Sequence, residues 1–289
     1  MLAGNAGLAE QATRSSKPML KTRVITAIVL LTGFMADLFL ASVDVFALVL
    51  GAVVAAAAWE WSRLSGVVAE HVQTAYAALV GLLALIFLYL PFSSVFMQWL
   101  FLTGLLFWLS VLVVFYMMPV HQKIVRTDAL LLVQGAFVFI VAAVAIQYLR
   151  SFAPHGSSWL LLYALAIIWV MDIGAYFSGR RFGKVKLAPS ISPGKTREGV
   201  YGGLLATAIL MLLVMLFADW ANDNLSKLLV ATFLAALASV LGDLYESRLK
   251  RAADMKDSSQ LLPGHGGVLD RIDGVLAGIP VFAFVWVWL

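Results

Sequence analysis

The sequence predicts an all-α polytopic membrane protein of about nine transmembrane helices. Hydrophobic residues make up 62% of the chain and charged residues only 12%, where a soluble domain carries about 25%. Apolar runs near the ~20 residues needed to cross a bilayer recur along almost the whole length. The formal charge of +4 is too small to indicate a nucleic acid partner. With no cysteine, disulfides and thiolate-held zinc or iron–sulfur sites are excluded. His71, His121, His155 and His265 are scattered, which argues against a zinc enzyme.

Residues 1–22 form a polar tail that ends in Lys17 and Lys21, with Arg23 opening the first apolar run. That outline is shared with signal peptides. A second span follows at once, however, and no small-x-small cleavage pattern intervenes, so the run reads as an uncleaved first helix. Spans fall at about 24–42, 44–62, 74–92, 94–117, 128–149, 159–178, 200–220, 226–246 and 268–288. The connections near Ser42 and Pro91–Ser94 allow only tight helical hairpins. Residues 23–150 hold five spans, and residues 151–289 hold four spans with two motif-bearing loops, the expected catalytic region. With the N-terminus inside, eighteen of the twenty Lys and Arg lie on the cytoplasmic side and only Arg150 and Lys227 outside. The C-terminus then lies on the opposite side and both motif loops face the cytoplasm.

Basic inner loops are the default for any membrane protein; acids among them are not. Asp172, Glu198, Asp243, Glu246, Asp254, Asp257, Asp270 and Asp273 are eight of the sixteen carboxylates, and all fall at the inner ends of the last four spans or between them. Asp243 closes the apolar run from Ala235 and needs a partner, or water, at its depth. Glu246, Ser247 and Lys250 follow it along one helical face; an ion pair closing the helix is the structural alternative. Asp270 and Asp273 are likewise three apart. Ahead of them, Pro263-Gly264-His265-Gly266-Gly267 supplies backbone that can approach a ligand, at a helix N-terminus suited to phosphate. Dipole complementarity alone would account for one such acid. Oxygen-only ligands beside cations match Mg²⁺ shared with substrate phosphates: Asp243 and Asp270 can meet across the helix pair to hold it, with Lys250, Arg251, Lys256 and Arg271 on the phosphate oxygens.

The second constellation runs from Asp172 to Gly199. Gly194-Lys195-Thr196 looks like the end of a P-loop, but Pro189 stands where that motif needs glycine, and no strand context is evident. Ser192, Lys195, Thr196 and Arg197 still suit a phosphate. Asp172 either pairs with Arg180 or Arg181 or reaches the site. Gly179-x-x-x-Gly183 falls in a loop on this reading and is not a helix-packing motif. Glu60, between Trp59 and Trp61, is expected to pair with Arg63 at the interface, flanked by belt tryptophans.

At these residues the chain resembles the phosphatidate cytidylyltransferase family, the CDP-diacylglycerol synthases. The resemblance rests on Ser247-Arg-Leu-Lys250-Arg251, Lys256-Asp257, Ser259, Pro263-Gly-His265-Gly266-Gly267-Val268 and Asp270-Arg271-Ile272-Asp273, with Ser192-Pro-Gly-Lys195-Thr196 and Leu241-Gly242-Asp243 like the bacterial members. It covers about residues 172–273. It implies cytidylyl transfer from CTP to phosphatidate, with Asp243 and Asp270 at a centre of Mg²⁺ and a monovalent cation such as K⁺. It further implies roles for Lys195, Lys250, Arg251, His265, Arg271 and Asp273, a homodimer in the bacterial inner membrane, and a polar cavity open to cytoplasm and lipid. Two other classes compete: a CTP-dependent lipid-alcohol kinase, and an ion-coupled transporter with carboxylates at broken helices. Against the transporter, the charges cluster at one face, whereas transporter sites favour the midplane.

Overall fold

The computed structural model describes residues 24–117, 127–151, 158–222 and 224–289. The polar tail, His121, Lys123, Arg126 and His155 lie outside these. Among the described residues, ten helices and one hairpin follow in order: α1 (Val24–Leu40), α2 (Val43–Leu64), α3 (Glu70–Tyr89), α4 (Ser94–Met117), α5 (Ala129–Ser151), α6 (Ser158–Phe182), β1 (Lys186–Ala188), β2 (Ser192–Thr196), α7 (Arg197–Phe217), the short α8 (Asp219–Asn222), α9 (Leu225–Ala252) and α10 (Leu269–Trp288).

Among the described residues, eight helices are long and apolar enough to cross a membrane, so the chain is an integral membrane protein. Their outward faces carry large apolar side chains, such as Leu205, Leu216 and Phe217, that only lipid can accommodate at such density. The expected first span, α1, is shorter than these eight, yet it bridges the bundle. Near one end Thr26 donates to the carbonyl of Pro263 (3.3 Å). At the other, the Leu38 carbonyl accepts from Ser158 (2.7 Å) and the Ala41 carbonyl from Arg150 (2.7 Å).

α10 is the central helix: 67% of its apolar window is buried, against 17% for the peripheral α7. It packs on α9, α5, α4 and α6. Pro280 is tolerated there because an N–H missing inside a protein-enclosed turn strands no lipid-facing group. A glycine seam lets α6 and α7 touch. A β-carbon on Gly203 would stand 2.7 Å from the Met171 carbonyl, and one on Gly174 would stand 2.8 Å from Ala206. Gly179 belongs to this seam, against Gly199 and the Thr196 hydroxyl. It lies in α6, which runs four residues past the expected end, not in a loop.

Two boundaries bear on function. α9 continues to Ala252, so Asp243, Glu246 and Lys250 sit on successive turns of one helix. The region 183–196, expected to be strand-free, contains an antiparallel hairpin pairing Lys186 with Thr196 and Ala188 with Ser192. Gly194 and Lys195 lie inside β2 and not in a loop after it, so the hairpin is no P-loop.

Candidate active site

The ends of α2, α6, α7, α9 and α10 and the β-hairpin meet at one face of the bundle. The hairpin is tied down first. Thr196 caps α7, its hydroxyl accepting from the Gly199 N–H at 3.1 Å. Glu198 in the first turn accepts from the N–H groups of Lys184 (3.0 Å) and Val185 (3.2 Å). Arg251 at the end of α9 donates to the Ile191 carbonyl at 3.4 Å. These contacts aim Lys195 at α9, where it forms an ion pair with Asp243. Both side chains keep about a quarter of their surface open, 24% and 26%, so the pair is reachable from solvent.

Asp172 and Asp273 flank the Lys195–Asp243 pair closely enough to feel both charges and each other. Neither arginine offered to Asp172 by the sequence takes it. Arg180 donates to the Tyr176 hydroxyl (3.3 Å) and Arg181 lies over Phe182. Asp273 also faces Glu246, which joins this group to a second one. There the Lys250 ammonium sits 2.5 Å from Glu246 Oε2 and 2.7 Å from Asp270 Oδ1. Asp270 Oδ2 accepts from the N–H groups of Gly267 (2.8 Å) and Ser258 (3.1 Å). Five carboxylates thus share two lysines along one row.

The glycine-rich turn sits against this row. Gly264 and Gly266 have φ of 76° and 85°, a region closed to most side chains. Leu262 and Gly266 bridge across the turn, and the Leu262 N–H donates to the Gly266 carbonyl at 2.9 Å. The His265 N–H donates to the Leu262 carbonyl (2.8 Å), and its Nδ1 is buried without a hydrogen-bond partner among the described residues. Arg197, Arg251, Lys256 and Arg271 are exposed around the row, and Ser192 is half-buried in β2.

The donor set fits a hard divalent cation: every candidate ligand is a carboxylate oxygen, acids outnumber lysines, and Glu246 Oε1 is buried without a hydrogen-bond partner. Among the described residues, no three acidic or histidine side chains form a ready-made cage. Mg²⁺ does not require one, since it commonly takes one or two carboxylates and completes its shell with water and substrate phosphates.

Sequence reasoning misread Glu60. Its side chain is fully buried on α2, against the loop that leads into α10. Oε1 accepts from the Ser259 hydroxyl (2.5 Å) and the Val268 N–H (2.9 Å), and Oε2 from the Ser258 hydroxyl (3.0 Å) and the Leu269 N–H (2.6 Å). Arg63, its expected partner, donates to the Ser258 carbonyl at 3.0 Å. Trp61 is a core residue, 1% exposed, that donates to the Leu131 carbonyl.

A family model described as the cytidylyltransferase family matches residues 21–289. The chain belongs to that family. Among its relatives is a phosphatidate cytidylyltransferase of Haemophilus influenzae, 37% identical over 284 residues, covering 93% of this chain and 99% of the relative. A phosphatidate cytidylyltransferase of Pseudomonas aeruginosa is 42% identical over 267 residues, covering 92% and 96%. One from Staphylococcus aureus is 47% identical over 121 residues, 42% of this chain and 46% of its own. Both long matches extend over more than nine-tenths of the chain, well beyond the motif loops.

Proposed function

We propose that the protein transfers a cytidylyl group from CTP to phosphatidate, giving CDP-diacylglycerol and pyrophosphate, in a bacterial inner membrane with the site facing the cytoplasm. The observation that carries this reading is the row of carboxylates and lysines from Asp172 to Asp270, set at one face of a membrane bundle in a chain of the cytidylyltransferase family. CTP and a lipid phosphate are both anions, and a row with more carboxylates than lysines holds them only with a metal cation between.

A phosphatidate oxygen attacks the α-phosphorus of CTP. The new P–O bond forms as the bond to the β-phosphate oxygen breaks, and pyrophosphate leaves. Little covalent chemistry falls to the protein, which aligns the groups and screens charge. Lys195, held by Asp243, and Lys250, held by Glu246 and Asp270, present fixed ammonium groups; Lys256 and the guanidinium groups of Arg197, Arg251 and Arg271 add further positive charge. Ser192, Gly266, Gly267, His265 and Asp273 complete the surroundings of the phosphates. Asp243 and Asp270 would hold Mg²⁺, with a monovalent cation such as K⁺ beside it, which when bound neutralises charge gathering on the pyrophosphate.

The orientation rests on the cation bias: Arg150 and Lys227 stand apart from the site face, Arg150 beside Ala41 and Lys227 beside Trp286 at the end of α10. A homodimer belongs to this reading and is tested by crosslinking in native membranes. Pyrophosphate release by purified protein in detergent tests the reaction: it should require CTP, phosphatidate and Mg²⁺ together. Release that ignores phosphatidate would refute it.

A further inference from the structure

We infer that Glu60 is a positioning residue for the reaction: it clamps the loop 257–269 onto α2 and so sets where Asp270 and Lys250 stand. The inference rests on the reading of the reaction given above.

A lone carboxylate inside a membrane helix is costly unless fully satisfied. Glu60 is satisfied completely, by the hydroxyls of Ser258 and Ser259 and by the N–H groups of Val268 and Leu269. The last two belong to the start of α10, where unpaired N–H groups and the helix dipole favour an anion. The anion is built in from another helix, 198 residues away from Ser258 in sequence. Ser258 then links two carboxylates. Its hydroxyl, with one proton, lies 3.0 Å from Glu60 Oε2 and 3.1 Å from Asp270 Oδ2, and its N–H donates to the same Asp270 oxygen. Asp270 Oδ1 in turn holds Lys250. An unbroken chain of polar contacts therefore runs from Glu60 through Ser258 to Asp270 and Lys250.

Gly267 supplies a separate observation. A β-carbon there would lie 2.7 Å from both Glu60 oxygens. Only glycine lets the backbone come close enough for the Gly267 N–H to reach Asp270 while Glu60 holds Val268 and Leu269. Arg63, one turn along α2, grips the Ser258 carbonyl, so α2 meets the loop with an anion and a cation.

The chain has no cysteine, so a single Gln260→Cys, exposed in the loop, can carry a nitroxide spin label. Glu60→Gln keeps the size of the side chain but turns an amide donor toward a backbone N–H, of Val268 or Leu269, that can only donate. The variant is expected to remain folded and monodisperse in detergent, to lose about a hundredfold in kcat, the scale of a ~1 Å misplacement, and to show a more mobile label. A residue that merely stabilised α2 would lower the folded fraction while leaving kcat per folded molecule and label mobility unchanged; that result overturns the inference. Should Glu60→Gln not fold, Ser259→Ala removes one of the four donors from the loop side. A smaller kcat loss with a more mobile label is expected, and wild-type values of both overturn the inference. Absence of cytidylyl transfer by the unsubstituted protein would defeat the reading of the reaction, while the label would still report on the clamp.

Discussion

Replacing Asp270 with asparagine separates the chemistry of the site from its architecture. The carboxylate divides its work: Oδ2 takes the N–H groups of Gly267 and Ser258, and Oδ1 takes Lys250 at 2.7 Å. An asparagine carbonyl can stand in for Oδ2 and keep both backbone donors, which leaves the amide NH₂ facing the Lys250 ammonium. The lost charge-assisted bond is worth about 1.5–3 kcal/mol. The low end applies, because Lys250 keeps Glu246 at 2.5 Å. A loss of about 1.5 kcal/mol lowers Tm by roughly 3–6 °C at 2–4 °C per kcal/mol, so the variant inserts and folds. Turnover should fall by about a thousandfold or more, about 4 kcal/mol of transition-state free energy, because the proposed cation loses a ligand where charge develops. Cytidylyl transfer and a thermal melt on the same detergent preparation read both quantities. Near wild-type kcat with the lowered Tm would show that Asp270 is an architectural acid and refute the metal assignment.

Lys195→Ala should cut kcat/KM at least tenfold while changing stability by less than about 1 kcal/mol, since its pair with Asp243 is partly exposed; a melt and steady-state kinetics check it. Gly203→Ala should destabilise by about 1–3 kcal/mol through overpacking against the Met171 carbonyl, seen as a lower Tm with the kcat of the folded fraction retained. Chelating divalent ions should abolish transfer, and Mg²⁺ should restore it. A maleimide that cannot cross the membrane should label Gln260→Cys in inside-out vesicles and not in intact cells.

The helices were legible because each carries a long apolar run, and the two motif loops because acids and glycines interrupt those runs. The succession Asp243, Glu246, Lys250 on one face needed only helical spacing. What spacing could not show was how separate segments meet. Lys195 reaches Asp243 only after the hairpin folds back, and that hairpin is short, with Gly194 and Pro193 inside it, so it lacks a strand's alternating pattern. Asp172 was left between its local arginines and the site because sequence offers no view of α9. Glu60 was the largest miss. Its tryptophan neighbours suggested an interface, yet an acid at the end of the apolar run Ala55–Ala58 is costly without partners. That cost was the available signal that distant donors had to come to it.

Purified protein supplied with phosphatidate, Mg²⁺ and CTP labelled in both the cytosine and the γ-phosphate reveals which part of the nucleotide reaches the lipid. Cytidylyl transfer puts cytosine label in the lipid fraction and γ-label in pyrophosphate. Transfer of γ-label to an added lipid alcohol, with no cytosine in lipid, would contradict it and identify a kinase.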